Sequence, residues 1–165
     1  MQTALIPATA ADRPVLARLA QLCLHDLSAS EPLEIGEDGL FPSDFLAPYG
    51  DDPNHRAYLL RAGPLLAGFA LVNRSSRLAG PFAGSAVALF FVLRRYRRQG
   101  VGRAAARLLF DATPGLWEVA TPAANVPAAA FWRSTVDSYT AGRYHEHWLQ
   151  APDWSGPVQR FNAPP

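Results

Sequence analysis

Along this 165-residue chain the spacing of hydrophobic positions switches from helical to alternating and back, and each switch marks an element. Leu5 and Ile6, stopped by Pro7, predict a short first strand. From Ala11 to about Leu27 the residues Val15, Leu16, Leu19, Leu22 and Cys23 recur at helical spacing behind a capping Thr9, which requires Pro14 to lie in the first turn. Between Ser28 and Asp52 the period is lost among prolines and glycines, and only Phe45 and Leu46 suggest a short helical turn. A long irregular segment inside a small domain is often a binding loop. Ala57 to Ala62 and Leu66 to Asn73 predict a hairpin about Gly63-Pro64, with Gly68 marking a bulge or a close backbone approach.

After a polar loop from Arg74 to Ser85 comes Ala86 to Leu93, apolar at every position, as expected of a strand covered on both faces. A helix is predicted over Gly100 to Asp111, then a strand over Trp117 to Thr121 and a helix from Pro127 to about Tyr139 ended by Gly142. Tyr144 to Leu149 and Val158 to Phe161 supply two last strands, the final one antiparallel, and Asn162 to Pro165 reads as a loose tail. This order predicts one α/β domain over residues 1–165, without internal repeats or a linker.

Composition narrows the chemistry. The chain is 49% hydrophobic and 18% charged, which argues against disorder. Neither a membrane span nor a secretory signal is visible, so the expected location is cytoplasmic and no membrane partner is expected. Cys23 is the only cysteine; no intrachain disulfide can form, and its apolar neighbours predict a buried thiol. All fifteen basic residues are arginine, which excludes lysine Schiff-base or general-base chemistry. Net charge is only +1, yet six of the fifteen arginines lie between Arg94 and Arg107 with no acid among them, a local cluster that suits a phosphorylated ligand better than a long polyanion. His145 and His147 share a strand face without a third convergent ligand, so no metal is expected.

The chemistry concentrates where the Ala86 to Leu93 strand meets the next helix. Gly100 and Gly102 let backbone approach a ligand, and the unpaired amides of a helix start accept negative oxygens, with Arg98 and Arg103 at the rim. The same glycines can instead relieve strand–helix crowding. Neither a Rossmann G-x-G-x-x-G nor a P-loop GK[ST] is present.

The run Arg97-Arg98-Gln99-Gly100-Val101-Gly102 resembles the pyrophosphate signature [R/Q]-x-x-G-x-[G/A] of the GNAT family of N-acetyltransferases. The strand at Trp117 followed by the Asn125-led helix with Phe131 and Trp132 resembles that family's second element. The resemblance implies a mixed, mostly antiparallel central sheet with helices on both faces and a splayed cofactor cleft. It implies acetyl-CoA as acyl donor: amides of Arg98, Gln99, Gly100, Val101, Gly102 and Arg103 on the diphosphate, the backbone of Phe91, Val92 and Leu93 along the pantetheine arm, and Asn125 and Trp132 near the arm or acyl group. The Val92 N–H is the implied oxyanion donor. The chain departs from the family in having Leu89 where related strands often carry glutamate and Trp132 where a tyrosine is frequent, which leaves Tyr139 as the candidate acid and Glu31 as the candidate acceptor-binding carboxylate. His25, Asp26, Glu34, Glu37 and His55 carry no further support. The expected activity is acetyl transfer to a small-molecule amine or an exposed protein amine by a monomer or homodimer, the rivals being a non-catalytic CoA binder and a nucleic-acid-binding module; nucleic acid is not the expected partner.

Overall fold

A computed structural model describes residues 2–165. A seven-stranded sheet has the order β1-β2-β3-β4-β5-β7-β6. Its strands are β1 (Thr3–Pro7), β2 (Arg56–Ala62), β3 (Leu65–Asn73), β4 (Ser85–Val92), β5 (Gly115–Ala120), β6 (Tyr144–Gln150) and β7 (Ser155–Ala163). Every neighbouring pair is antiparallel except β4 and β5. The helices are α1 (Arg13–Leu27), α2 (Val101–Asp111) and α3 (Val126–Thr140). This is the mixed, mostly antiparallel α/β architecture that the sequence implies.

Alternation along the central strands feeds two cores. Leu59, Phe69, Leu71 and Phe91 point to the face covered by Leu16, Leu19 and Cys23 of α1. Their neighbours Leu60, Ala70 and Val72 point to the other face, where α2 and α3 bring Val101, Leu109, Phe110, Trp132 and Val136 against Trp117, Val119 and Phe161. The unbroken apolar run of β4 is explained by this arrangement, since each of its faces meets a helix layer. Pro14 lies in the first turn of α1, and the 3-10 turn before that helix is closed by the Thr9 amide donating to Asp12 Oδ2 at 2.8 Å.

Two boundaries differ from the sequence reading. Asn162 and Ala163 are not a loose tail: β7 runs through them, Ala163 pairs with Gly115, and it is buried. The hairpin strand β3 begins at Leu65, and Ala67 is the extra residue of a bulge opposite Leu60 and Arg61. Gly68, beside the bulge, marks a close approach, because a Cβ there would lie 1.9 Å from the Phe91 carbonyl oxygen.

The feature that shapes the site is in β4. Leu71 pairs with Leu89 but Val72 pairs with Val87, so Ala88 is an extra, bulged residue. On its other edge β4 pairs with β5 only over Ser85, Ala86 and Val87. The strands part at the bulge, where the added local twist turns β4 away from β5. From there to Val92 the β5-facing edge of β4 has no strand partner, and a gap opens in mid-sheet.

Candidate active site

The turn after β4 ends the gap. Arg94–Tyr96 form a 3-10 turn, Arg98 adopts φ 59°, and Gly100, the N-cap of α2, adopts φ 81°. The left-handed conformation favours glycine and is uncommon for arginine, so the chain holds strained backbone here to aim its amides. Ala104 N–H is the first of α2 to find its helical partner, the Gly100 carbonyl, at 2.9 Å. Among the described residues, the amides of residues 98 to 103 meet no protein acceptor. Six consecutive donors without a protein acceptor at the start of an eleven-residue helix form a cradle of the kind that can take an anion.

The two glycines of this turn serve different ends. A Cβ on Gly100 would have nothing within 4 Å, so backbone conformation and ligand space explain its identity. A Cβ on Gly102 would meet the Phe131 ring at 3.3 Å and Val92 Cγ2 at 3.5 Å, which is the strand–helix crowding reading. Val101 between them is buried and anchors the turn in the core. Arg103 donates to Ser134 Oγ at 3.0 Å, Gln99 Nε2 donates to the Arg95 carbonyl, and the Arg98 side chain is exposed.

Asp26 at the end of α1 fixes the turn from the other side of the sheet. It accepts from Arg94 Nε at 3.0 Å and Nη2 at 2.6 Å, and pairs with Arg97 Nη2. Burial pushes the Asp26 carboxyl up, but the hydrogen bonds and charges of Arg97 and Arg94 outweigh it and hold the pKa below the ordinary value. Two of the clustered arginines therefore share one carboxylate, which offsets one of their two charges within the protein. Arg97 also donates through Nε to the Val92 carbonyl at 2.7 Å, binding the end of β4 to the turn.

The edge of β4 that faces the gap can be assigned. Leu93 N–H donates to the Ala67 carbonyl at 2.8 Å, and Leu93, Phe91 and Leu89 share that register, so their main-chain groups face β3. Phe90 and Val92 present theirs to the gap. This corrects the sequence reading for Phe91 and Leu93, whose amides are engaged by β3; Val92 has its carbonyl on Arg97 and its N–H toward the gap, and Phe90 shares that edge.

Other sequence candidates fall elsewhere. Tyr139 donates its hydroxyl to Asp111 Oδ1 at 2.7 Å and packs on Phe110 and Phe161, at the end of α2 opposite the cradle. Burial, then the bond and charge of Asp111, raise its pKa well above the ordinary tyrosine value, so it is a poor acid as well as remote. Trp132 is buried at 6% exposure with its ring edge-on to Phe90 at 5.0 Å, a core residue; the half-buried Phe131 is the one that lies against Gly102 and Val92. Asn125 caps α3, its Oδ1 accepting from Ala128 N–H at 3.2 Å. Glu31 lies just past α1, with Oε1 shielded and without a hydrogen-bond partner, and does not line the cavity described next. No group of three or more His, Cys, Asp or Glu suited to a metal ion occurs among the described residues.

On the α1 face of the bulge lies a cavity of about 410 Å³. It is walled by Leu24 of α1, by Phe45, Pro48 and Tyr49 of the irregular segment, by His55, by Leu71 and Asn73 of β3, and by Ala88 and Leu89 of β4. His55 Nδ1 is 2.7 Å from Asp52 Oδ2, and its ring meets Tyr49 edge-on at 5.2 Å. The sequence shows Asp51, Asp52 and His55 together but cannot show that Tyr49 and a β4 bulge meet them. Burial raises the Tyr49 pKa, with the Asn73 side chain opposing it.

Solved structures share this architecture. An acetyltransferase from Thermus thermophilus superposes with a TM-score of 0.66 at 17% identity, covering 98% of this chain and 97% of its own. A spermidine N-acetyltransferase from Vibrio cholerae, solved with CoA and spermine, gives 0.65 at 11% identity over 98% and 96%. A streptothricin acetyltransferase homologue from Bacillus anthracis, solved with acetyl coenzyme A, gives 0.59 at 13% identity over 98% and 99%. No curated protein matches the chain in sequence. At these identities the structures speak for the fold, while the sequence profile of one family, described as acetyltransferase (GNAT), matches residues 22–135 and spans Asp26, the bulged strand, the cradle and the capped start of α3. The chain belongs to the acetyltransferase (GNAT) family.

Proposed function

We propose that this protein transfers the acetyl group of acetyl-CoA to a primary amine by direct attack within a ternary complex. One observation carries the reading: a cradle of unpartnered amides over residues 98 to 103 stands at the mouth of a gap whose β4 wall offers the main-chain groups of Phe90 and the N–H of Val92. The cradle fits a diphosphate, because amides at a helix start supply both donors and favourable potential. The wall fits an amide-bearing arm lying in the place of a missing strand. Running back along β4 from the cradle, that arm ends near Ala88, where the strands close.

The acyl oxygen gains negative charge as the amine attacks, and an N–H fixed in the gap stabilises it without reorganising. Phe90 N–H, on the gap-facing edge of β4 and next to the end of the arm, is the fitting donor; Val92 N–H, held in place because Arg97 grips the carbonyl of the same residue, lies toward the diphosphate end. Calorimetry with CoA and release of free CoA thiol over a panel of amines test the reading together. Acceptor-dependent release supports transfer; CoA binding without release from any amine leaves the non-catalytic binder, and an absence of CoA binding removes both.

A further inference from the structure

We infer that His55, oriented by Asp52, is the catalytic proton acceptor for the amine, and that the acceptor is a primary monoamine with an apolar body seated in the cavity between α1 and the β4 bulge. This inference rests on the acetyl-transfer reading and names its substrate class and base. Its geometry starts from Ala88. That residue lines the cavity on the α1 side and is also where β4 leaves β5, so the cavity borders the strand position at the closed end of the gap, where the acyl carbon would arrive.

Asp52 is itself held. Its Oδ1 accepts from the Asn54 amide at 2.8 Å, while Oδ2 takes His55 Nδ1. The Asn54 bond and then the His55 bond lower the Asp52 pKa, so the carboxylate stays ionised and keeps Nδ1 protonated. Nε2 is the nitrogen left to accept a proton. Other charged neighbours are engaged elsewhere: Asp51 pairs with Arg13, and Arg56 donates to Thr113 and Ser85. Tyr49, edge-on to the imidazole, is kept neutral by its burial. Leu89 stands where a β4 carboxylate would be expected in related strands, so the proton acceptor in this chain comes from across the cavity.

The walls select the amine's body. Leu24, Phe45, Leu71 and Leu89 are apolar, and Phe45 is 41% exposed on the rim, an aromatic face with no protein to cover it. No carboxylate lines the cavity itself, so a second ammonium group carried by a polyamine would be desolvated there without a counter-ion. The volume suits a small ligand. In the reaction His55 Nε2 takes one proton from the ammonium and returns it to solvent. The freed nitrogen pair forms the C–N bond, the C–S bond breaks, and the second nitrogen proton ends on the CoA sulfur.

The test uses the full chain with saturating acetyl-CoA and with 2-phenylethylamine, butylamine or spermidine as acceptor, together with His55→Gln, Asp52→Asn and Leu89→Trp. Expected are turnover of both monoamines in preference to spermidine and a loss of kcat of roughly 100-fold or more in His55→Gln. Asp52→Asn lowers kcat less, and Leu89→Trp raises the monoamine KM; in all three, CoA affinity by calorimetry stays within about twofold of the parent, which also reports folding. Independently of turnover, 2-phenylethylamine added to the CoA complex shifts the imidazole NMR signal that His55→Gln removes, out of four histidines. Preference for spermidine, kcat within threefold in His55→Gln, or an unmoved His55 signal would overturn the inference while CoA binding survives. Loss of CoA binding in the parent would instead overturn the acetyl-transfer reading on which it rests.

Discussion

Gly100→Ala separates backbone strain from ligand recognition at the cradle. Gly100 sits at φ 81° with nothing within 4 Å of an added Cβ, so the substitution meets no protein atom and its folding cost is the left-handed conformation alone. For an L-residue that is roughly 1–2 kcal/mol, or a fall in Tm of about 2–8 °C for a domain of this size. Gly63, in the β2–β3 turn at φ 59°, also has nothing within 4 Å and provides a matched control far from the cradle. Both variants should lose similar stability by thermal unfolding. Only Gly100→Ala should lose CoA affinity by calorimetry, roughly 10- to 100-fold, because disturbing one charge-assisted amide bond costs about 1.5–3 kcal/mol. Unchanged CoA binding in Gly100→Ala, or equal loss in Gly63→Ala, would refute the assignment of the diphosphate to this turn.

Because the folded-state pKa of Asp26 is lowered, its stabilising contribution is present above the unfolded carboxylate value of about 3.9 and is lost as pH falls through the folded value. Thermal unfolding from pH 6 to pH 3 should therefore show parent and Asp26→Asn converging on acidification, and a constant difference would contradict the linkage. Burial, reinforced by nearby Asp26 and opposed by Arg97, pushes the Cys23 thiol up to about 12. Iodoacetamide at pH 8 should leave the native protein unlabelled by mass spectrometry and label it once in urea, so Cys23 adds no background to a thiol-release assay. Tyr139→Phe removes the bond to Asp111 and should cost about 1 kcal/mol in stability with kcat within threefold; a larger loss of turnover would return the hydroxyl to the chemistry.

The cradle was legible in the sequence because it is a local device. A strand ending, a left-handed glycine and a helix start are contiguous over Val92 to Arg103, and the motif carries its own backbone geometry. The helices were legible for a similar reason: their boundaries depend on caps and prolines within a few residues, as Asn125 and Pro127 show at α3. Tyr139 and Trp132 misled because spacing on a helix gives a face but not the neighbour that face meets. Tyr139 meets Phe110 and Asp111, and Trp132 meets Phe90 and Phe110. Asp26 found no support in the sequence because its partners lie 68 and 71 residues away.

By itself the sequence determined the element order, the two-sided burial of β4, the exclusion of lysine and disulfide chemistry, and the left-handed glycine turn that starts α2. All of these follow from periodicity, residue inventory and φ preferences, which act over a few residues. Tertiary structure alone decided which edge of β4 is free, which of two adjacent aromatics lies against Gly102, and which ionisable groups line the cavity. The bulge at Ala88 exists only through the register of β4 against β3, and His55 reaches the cavity only because β2 and β3 bring the irregular segment beside that bulge. Pairing register and packing across the sheet are set by contacts between distant residues, and single-chain spacing holds no record of them.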